Sequence, residues 1–425
     1  MSSNSQALIV SDISQKTQDL IISQRFQRTS GLKSPILLLS GHEGEVYSIK
    51  FHPDGETLAT ASFDKKIFLW KVYGDCEQYA TLKGHKNAVL EVCYSNDKKT
   101  LLSCSADQTV ILWDLNKESK IRHVREHRSV VNAISSCLND PTKFVSCSND
   151  STVKLWDSRK SKSTLTIKEP FAVTSVAVSH DGQQIFYGGI ENVIKVFDIR
   201  KNDDVLYYLD GHNELISGLS VSPDGSLLAS FSMDNTIKIW DINPFSSENQ
   251  NYNENQNYEN NENNNENDNE NDNENEMNEE IDEDEDEDEN QKIENQKNIH
   301  HLNESTRKME IDENNKKDQI KEEIPKEQVE STENLPSRCV MQFPNIIHSL
   351  EYNLLKVGWS PDGEMVCAGS GDRFVYVLSV YSNNILYKLP GHYGCVNEVA
   401  FHPKEPIIGS CSTDRKIYLG ELMRF

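Results

Sequence analysis

The sequence repeats with a period of about 43 residues, and each copy is marked by an aromatic residue that ends a short β-branched run. Separations of 43, 43, 41 and 43 residues lie between Trp70, Trp113, Trp156, Phe197 and Trp240. Two degenerate copies end at Leu378 and Gly420. Turn signals such as HisProAspGly at 52–55 divide each unit into four short strands. One such unit cannot cover its own apolar faces, so the copies must stack.

The gap between Trp240 and Leu378 is 138 residues, about 95 more than one period, and it indicates an insertion. Residues 246–338 contain 31 acidic and 9 basic residues, so they carry −22 of the chain's net charge of −25. This composition is too polar to bury a core, and we predict a disordered Asn- and acid-rich insertion. The remainder, at −3, lacks the excess of cations that phosphate binding requires, which argues against direct RNA or DNA binding. Without the insertion and an N-terminal tail, the chain divides into seven units.

Most units carry a Gly-His pair, and an Asp follows the His after 22 or 23 residues. An Asp carboxylate can accept from imidazole, the second imidazole nitrogen can accept from Ser, and Ser can accept from an indole N–H. The sequence therefore predicts a buried polar chain in four units. Its expected members are His42, Ser62, Asp64 and Trp70; His85, Ser105, Asp107 and Trp113; His127, Ser148, Asp150 and Trp156; and His212, Ser232, Asp234 and Trp240.

The Ser, His and Asp of these units could also suggest a hydrolase triad. A catalytic nucleophile occurs once in a chain, whereas this set recurs in register four times, which favours a structural role. The nine cysteines are odd in number and contain no CxxC pair, so we expect reduced thiols without disulfides or zinc. We also expect no metal, no cofactor, no catalytic residue, no small-molecule substrate and no membrane span.

The motifs in phase resemble those of the WD-repeat family over about three quarters of the chain. This resemblance implies an all-β, seven-bladed propeller of four-stranded sheets around a central channel. It also implies that residues 35–39 (PILLL) supply the outer strand of the last blade and close the ring. The predicted organisation is a disordered tail at 1–33, the propeller at 34–245 and 339–425, and the insertion at 246–338, with Cys339 to Phe343 forming an outer strand after it.

Two of the seven units depart clearly from the repeat. Unit four has Gly189 and Glu191 where Ser and Asp are expected, and unit six has Leu378 in place of Trp. We expect strand pairing and apolar burial to hold these blades. Unit seven keeps His392, Ser412 and Asp414 but has Gly420 at the Trp position.

The residue before each motif Asp should face the mouth of the channel. At four of these positions, Phe63, Asn149, Ile190 and Met233 form a candidate rim for protein contact. Partial burial of these side chains against neighbouring loops is the alternative interpretation.

Several segments outside the repeat marks resemble the WD-repeat proteins of the spliceosomal U5 small nuclear ribonucleoprotein. They are residues 74–76 (GDC), 79–85 (YATLKGH), 353–355 (NLL), 359–363 (WSPDG), 372–377 (DRFVYV), 385–392 (ILYKLPGH), 397–403 (NEVAFHP) and 405–408 (EPII). The resemblance implies a nuclear, non-catalytic scaffold in pre-mRNA splicing. It further implies docking on the large U5 core protein and its helicase and GTPase subunits, with RNA contacted only indirectly.

A second function class stays open from the sequence alone. A WD-repeat substrate receptor or chromatin reader would bind short peptides at the apolar rim and the channel mouth. Association with ligase or histone-modifying subunits in place of U5 RNA would identify that class. Nothing in the sequence supports an enzyme.

Overall fold

The computed structural model describes residues 28, 30–201, 205–243, 338–348 and 353–422. Within them, 28 strands form seven four-stranded antiparallel sheets, which confirms the predicted seven-bladed propeller. Blades 1 to 3 contain β2 (Val46–Phe51), β3 (Thr57–Ser62), β4 (Lys66–Lys71), β5 (Gln78–Lys83); β6 (Val89–Tyr94), β7 (Thr100–Ser105), β8 (Val110–Asp114), β9 (Ser119–Val124); and β10 (Val131–Ser136), β11 (Lys143–Ser148), β12 (Thr152–Asp157), β13 (Leu165–Lys168).

The remaining four blades follow the same order of strands from the channel outward. Blades 4 to 6 contain β14 (Val173–Val178), β15 (Gln184–Gly189), β16 (Ile194–Asp198), β17 (Val205–Leu209); β18 (Ile216–Val221), β19 (Leu227–Ser232), β20 (Ile237–Asp241), β21 (Cys339–Phe343); and β22 (Val357–Trp359), β23 (Met365–Gly369), β24 (Val375–Ser379), β25 (Ile385–Leu389). Blade 7 contains β26 (Val396–Phe401), β27 (Ile407–Ser412), β28 (Lys416–Glu421) and β1 (Ile36–Ser40).

The N-terminal strand closes the ring as predicted. Strand β1 pairs antiparallel with β28, with Ile36 opposite Gly420 and Ser40 opposite Lys416. Around the channel each innermost strand contacts the innermost strand of the next blade, and β26 of blade 7 contacts β2 of blade 1. The last blade is therefore built from both ends of the described chain.

The two faces of the ring carry different loops. The His-loop face carries the segments that enter each innermost strand, such as the one containing His42, and the turns between second and third strands. The hairpin face carries the turns between first and second strands, such as residues 52–56. Gly55 and Gly225 adopt positive φ angles of 83° and 77° in these turns, a conformation that glycine adopts without steric cost.

The insertion interrupts blade 5 between its two outer strands. Strand β21 pairs with β20 across the interruption, with Ile237 opposite Phe343, as the sequence predicted. The backbone N–H of Asp241 donates to the Arg338 carbonyl at 2.9 Å, so the two ends of the insertion lie together on the hairpin face. Residues 244–337 lie outside the described part of the chain, as does most of the N-terminal tail.

Residues 30–33, which the sequence analysis placed in the tail, contact the propeller instead. The Ser30 N–H donates to Glu421 Oε1 at 2.9 Å, and the Gly31 N–H donates to Glu405 Oε2 at 2.7 Å. Leu32 is buried between blades 7 and 1. Residues 30–33 therefore belong with the propeller, and the predicted boundary at residue 34 lies too late in the chain.

The hydrophobic core lies between neighbouring blades. Trp113, Trp156 and Trp240 are among the largest fully buried side chains, and each packs in one of these interblade clusters. Full burial of a large apolar side chain contributes roughly 1.5–3 kcal/mol, so the interfaces between blades hold the ring together. Within the described residues, no helix is long and apolar enough to cross a membrane.

Candidate functional site

In five blades, a buried histidine forms a hydrogen bond with the aspartate of the turn between the second and third strands. The Nδ1 to Oδ2 distances are 2.9 or 3.0 Å in the pairs His42–Asp64, His85–Asp107, His127–Asp150, His212–Asp234 and His392–Asp414. Burial alone would raise the pKa of Asp107, but hydrogen bonds from His85 and Thr109 hold it well below its usual range. Burial lowers the pKa of His212, so this imidazole is neutral at pH 7. Each pair ties the loop carrying His to the turn carrying Asp.

The hydroxyl residue of each buried polar chain lies two positions earlier in the sequence than predicted. Thr60 Oγ1, not Ser62, lies 2.9 Å from His42 Nε2 and accepts the Trp70 indole N–H at 2.9 Å. The same correction replaces the expected serines with others in blades 2, 3 and 5. Ser103 replaces Ser105, Ser146 replaces Ser148, and Ser230 replaces Ser232.

The strand register explains this shift. Trp70 lies opposite Leu58 in the β3–β4 pair, so Thr60 is its diagonal neighbour on the same face of the sheet. Ser62 is two residues, or about 7 Å, farther along the strand than Thr60 and is therefore out of reach of the indole. Its Oγ instead accepts the Asp64 backbone N–H at 3.1 Å and stabilises the turn. A hydroxyl residue four positions before each motif Asp was the signal that the sequence analysis missed.

Blade 7 contains the aspartate, histidine and serine of the buried polar chain but not its tryptophan. His392 Nε2 lies 2.8 Å from Ser410 Oγ, whereas Ser412, the expected member, accepts the Asp414 backbone N–H at 3.2 Å. The Tyr418 ring meets the His392 ring edge-on, with 4.7 Å between centroids. An aromatic contact therefore stabilises the imidazole where Gly420 supplies no indole.

Blades 4 and 6 are strand-paired and packed in apolar clusters, and they also contain polar contacts that the sequence did not predict. In blade 4, Glu169 and Glu191 replace His and Asp at the same spacing of 22 residues, and Lys195 Nζ lies 2.5 Å from each carboxylate. The Tyr187 hydroxyl, at the position of Thr60, donates to Glu169 at 2.6 Å. Blade 4 thus replaces the His–Asp hydrogen bond with ion pairs between one lysine and two glutamates.

Blade 6 has its own substitute for the His–Asp pair. The Tyr376 hydroxyl donates to Asp372 Oδ2 at 2.6 Å, and Lys388 Nζ lies 3.1 Å from the same carboxylate. These contacts hold the turn between β23 and β24. In all seven blades the residue directly after the motif Asp, or after Glu191 in blade 4, has a φ between 60° and 74°. These residues are Lys65, Gln108, Ser151, Asn192, Asn235, Arg373 and Arg415. The turn geometry therefore survives where the histidine does not.

The four candidate rim residues all lie on the His-loop face, beside the start of an innermost strand. Phe63 and Ile190 are 55% and 49% exposed, Asn149 is exposed, and Met233 is half-buried. They belong to blades 1, 3, 4 and 5, so Phe63 and Ile190 do not form one patch. Phe171, which the sequence analysis missed, is exposed next to Ile190 and lines a shallow pocket with it. Protein contact at this rim stays a proposal.

Four charged side chains fill part of the central channel. Lys50 Nζ lies 2.5 Å from Glu398 Oε1, and Lys356 Nζ lies 3.5 Å from Glu91 Oε2. Glu398 also accepts the Ile49 N–H at 2.8 Å, and Glu91 accepts the Ile134 N–H at 3.0 Å. The first ion pair joins blades 7 and 1, and the second spans the channel between blades 6 and 2. Burial raises the pKa of Glu91, although the two lysines oppose that effect.

The His, Cys, Asp and Glu side chains of the described residues do not cluster as potential metal ligands. The described residues contain no group of three or more His, Cys, Asp or Glu side chains that could hold a metal ion. None of the nine cysteines forms a disulfide in the described part of the chain, and burial raises the pKa of Cys147 to about 12. A thiol with this pKa is almost entirely protonated at pH 7 and is a poor nucleophile.

Comparison with known proteins agrees with this architecture. The model of the family described as "WD domain, G-beta repeat" matches residues 33–71, 76–114, 118–157, 204–241, 340–378 and 383–419. The unmatched stretch between 157 and 204 contains β13 to β16, including the inner strands of blade 4, where the charged chain replaces His and Asp.

Full-length relatives are similar over nearly the whole chain. The human "U5 small nuclear ribonucleoprotein 40 kDa protein" is 39% identical over 96% of this chain and 89% of its own length. The Dictyostelium discoideum protein of the same name is 36% identical over 93% and 87%, respectively. The Schizosaccharomyces pombe "Pre-mRNA-splicing factor cwf17" is 34% identical over 93% and 90%.

Proposed function

Because the chain belongs to the WD-repeat family that includes the U5 small nuclear ribonucleoprotein 40 kDa proteins, we propose that it is a scaffold subunit of the spliceosomal U5 particle. The observation that carries this proposal is a sequence identity of 34–39%, over 93–96% of the chain, with relatives named for that particle or for pre-mRNA splicing. The similarity extends through the degenerate blades and so goes beyond the repeat itself. The proposed location is the nucleus.

A non-catalytic role fits the chemistry of the buried chains. His85 and Ser103 are buried, and their hydrogen-bonding atoms already have partners within blade 2. A nucleophile and its base must reach a substrate, and these groups do not reach the surface. The same arrangement recurs in five blades, as expected for a structural motif. We propose that the rigid ring presents several surfaces to different proteins at once.

The proposed partners are the large U5 core protein and its neighbouring helicase and GTPase subunits. Protein contact is favoured over RNA contact because the part of the chain outside the insertion is close to neutral. The exposed apolar residues are distributed over the perimeter and both faces of the ring, including Ile121, Phe171 and Tyr381. Such a distribution suits simultaneous docking of more than one protein. RNA is then reached through these partners.

Affinity purification of the tagged full chain from nuclear extract tests this function. We expect U5 RNA and the large U5 core protein to co-purify, and U1 RNA, measured in the same eluate, serves as the control for nonspecific RNA. Recovery of ligase or histone-modifying subunits without U5 RNA would reject the splicing assignment in favour of a receptor or reader. A second preparation lacking residues 244–337 measures whether the insertion contributes, since β20 and β21 lie side by side at its ends.

A further inference from the structure

An apolar groove lies between blades 6 and 7 on the hairpin face. It encloses a cavity of about 340 Å³, and Pro361, Leu386, Tyr387, Phe401 and Leu422 line it. This volume is within the range of pockets that hold ligand or peptide side chains. None of these residues belongs to the His–Asp chains or to the channel cluster. We refer to this cavity and its lining as the blade 6/7 groove.

The surface beside the groove is also apolar. Tyr381 is highly exposed, Ile385 is more than half exposed, and Leu386 is 45% exposed. These residues lie on the loop before β25 and on β25 itself, which is the outer strand of blade 6 and has a free edge. Exposed apolar side chains that adjoin an apolar cavity indicate a protein-binding surface.

The neighbouring gap between blades 7 and 1 shows how this fold fills such a groove. Phe51 and Val72 hold the positions in blade 1 that Phe401 and Leu422 hold in blade 7. There, Leu32 packs into the same hydrophobic cluster as Phe51 and Val72, and it is only 3% exposed. In the blade 6/7 groove no described residue takes the place of Leu32, and Phe401 stays half-buried.

The segment that carries Leu32 binds through charge as well as through its apolar side chain. Arg28 Nε donates to Glu421 Oε2 at 3.1 Å, and the Gly31 N–H donates to Glu405 Oε2 at 2.7 Å. The anchor is thus a leucine with an arginine four positions before it, and the intervening backbone N–H groups of Ser30 and Gly31 donate to carboxylates.

Acidic side chains lie at the blade 6/7 groove in a comparable place. Asp362 lines it and is exposed, and Glu364 is exposed two residues later. Glu405 lines the opposite side, together with His402 and Lys404. A cationic group beside an apolar anchor would face Asp362 and Glu364 on the blade 6 side of the groove, whereas Lys404 belongs to blade 7.

We propose that the blade 6/7 groove binds an extended segment of another protein, which inserts one leucine-sized or aromatic side chain and directs an adjacent Lys or Arg to Asp362 and Glu364. The segment in the gap between blades 7 and 1 supplies the structural precedent within the same molecule. This inference deepens the proposed scaffold function, on which it rests, by specifying one docking surface and the chemistry of its partner.

Selection of displayed random peptides against the purified full chain tests the proposal independently of U5 association. We expect an enriched motif with one large apolar residue beside Lys or Arg, and we expect Leu386→Glu to weaken binding of the selected synthetic peptide at least tenfold. Ile121→Glu is the matched control, because Ile121 is 53% exposed on β9, the outer strand of blade 2. Circular dichroism melting of both variants establishes that they fold. We expect Asp362→Asn to weaken binding of the same peptide at least twofold, because it removes a carboxylate that would face the cation of the peptide. This loss should be larger at low salt, where charges are screened less.

Several outcomes would overturn the proposal. They are the absence of an enriched motif, an acidic motif, or binding that Leu386→Glu leaves unchanged. If the selected peptide binds only after residues 1–27 are removed, the chain's own N-terminal segment is the occupant. If the full chain self-associates and Leu386→Glu abolishes this association, a second copy is the occupant. Because the selection needs no spliceosomal component, its failure leaves the U5 purification result standing, and the reverse also holds.

Discussion

The Ser103 hydroxyl gives the sharpest test of the polar chain in blade 2. Ser103 Oγ accepts the Trp113 indole N–H at 2.8 Å and lies 2.7 Å from His85 Nε2. In Ser103→Ala both hydrogen bonds are lost, each with a net contribution of about 0.5–1.5 kcal/mol. The indole N–H also stays buried without an acceptor, at a cost of about 1–3 kcal/mol. The expected loss in the free energy of unfolding is therefore about 2–6 kcal/mol.

Destabilisation alone would not distinguish Ser103 from Ser105, because Ser105 Oγ also accepts the Asp107 N–H at 3.0 Å. A double-mutant cycle with Trp113→Phe does distinguish them, since phenylalanine removes the indole donor. Urea unfolding followed by circular dichroism should give a coupling energy of about 1–2 kcal/mol for Ser103→Ala with Trp113→Phe. The same cycle with Ser105→Ala should give a coupling near zero. Equal coupling in both cycles, or coupling only with Ser105, would refute the assignment.

Three further predictions concern ring closure, the channel and pH. In urea unfolding, Leu39→Asp should lower the free energy of unfolding by about 3 kcal/mol or more, because it replaces a buried side chain with a charge. Leu38 is half-exposed on the same strand, so Leu38→Asp should lower it by less than about 1 kcal/mol. Lys356→Met should cost up to about 3–5 kcal/mol, because Glu91 loses its ion-pair partner and keeps only the charge of Lys50 nearby. Adding Glu91→Gln should recover part of that loss, and strictly additive costs would contradict the ion pair. Burial alone would raise the pKa of Asp234, but its hydrogen bond with His212 holds the pKa low. The contribution of Asp234 to the free energy of unfolding is therefore present above about pH 4 and is lost on further acidification. Asp234→Asn should flatten the dependence of the free energy of unfolding on pH below about pH 4, and an unchanged dependence would contradict the reasoning.

The sequence predicted those parts of the fold that recur or that lie close together in the chain. The count of seven blades follows from the period, and the closing role of Ile36 to Ser40 followed from the family resemblance. The pairing of His42 with Asp64 follows from a constant spacing and complementary hydrogen-bonding groups. Each of these inferences uses a repeated signal.

The features that the sequence did not predict depend on register or on ring closure. Residues two apart on a strand share a face, so the pattern alone did not distinguish Thr60 from Ser62, and only the β3–β4 register does. Lys356 and Glu91 lie far apart in sequence and meet only because seven innermost strands surround one channel. The charged chain through Lys195 was missed because it preserves the positions of the repeat while changing their chemistry.

Closure through β1 also determines the order in which the molecule can be completed. Translation produces Ile36–Ser40 before any blade, yet its partner Lys416–Glu421 is the last described strand to be synthesised. The first strand therefore stays without its partner until blades 1 to 6 have left the ribosome. Because the Glu421 N–H donates to the Pro35 carbonyl at 2.8 Å, a short linker could join these two ends. Opening that circular chain between residues 243 and 338 would move the closing strand from blade 7 to blade 5 with the same ring retained.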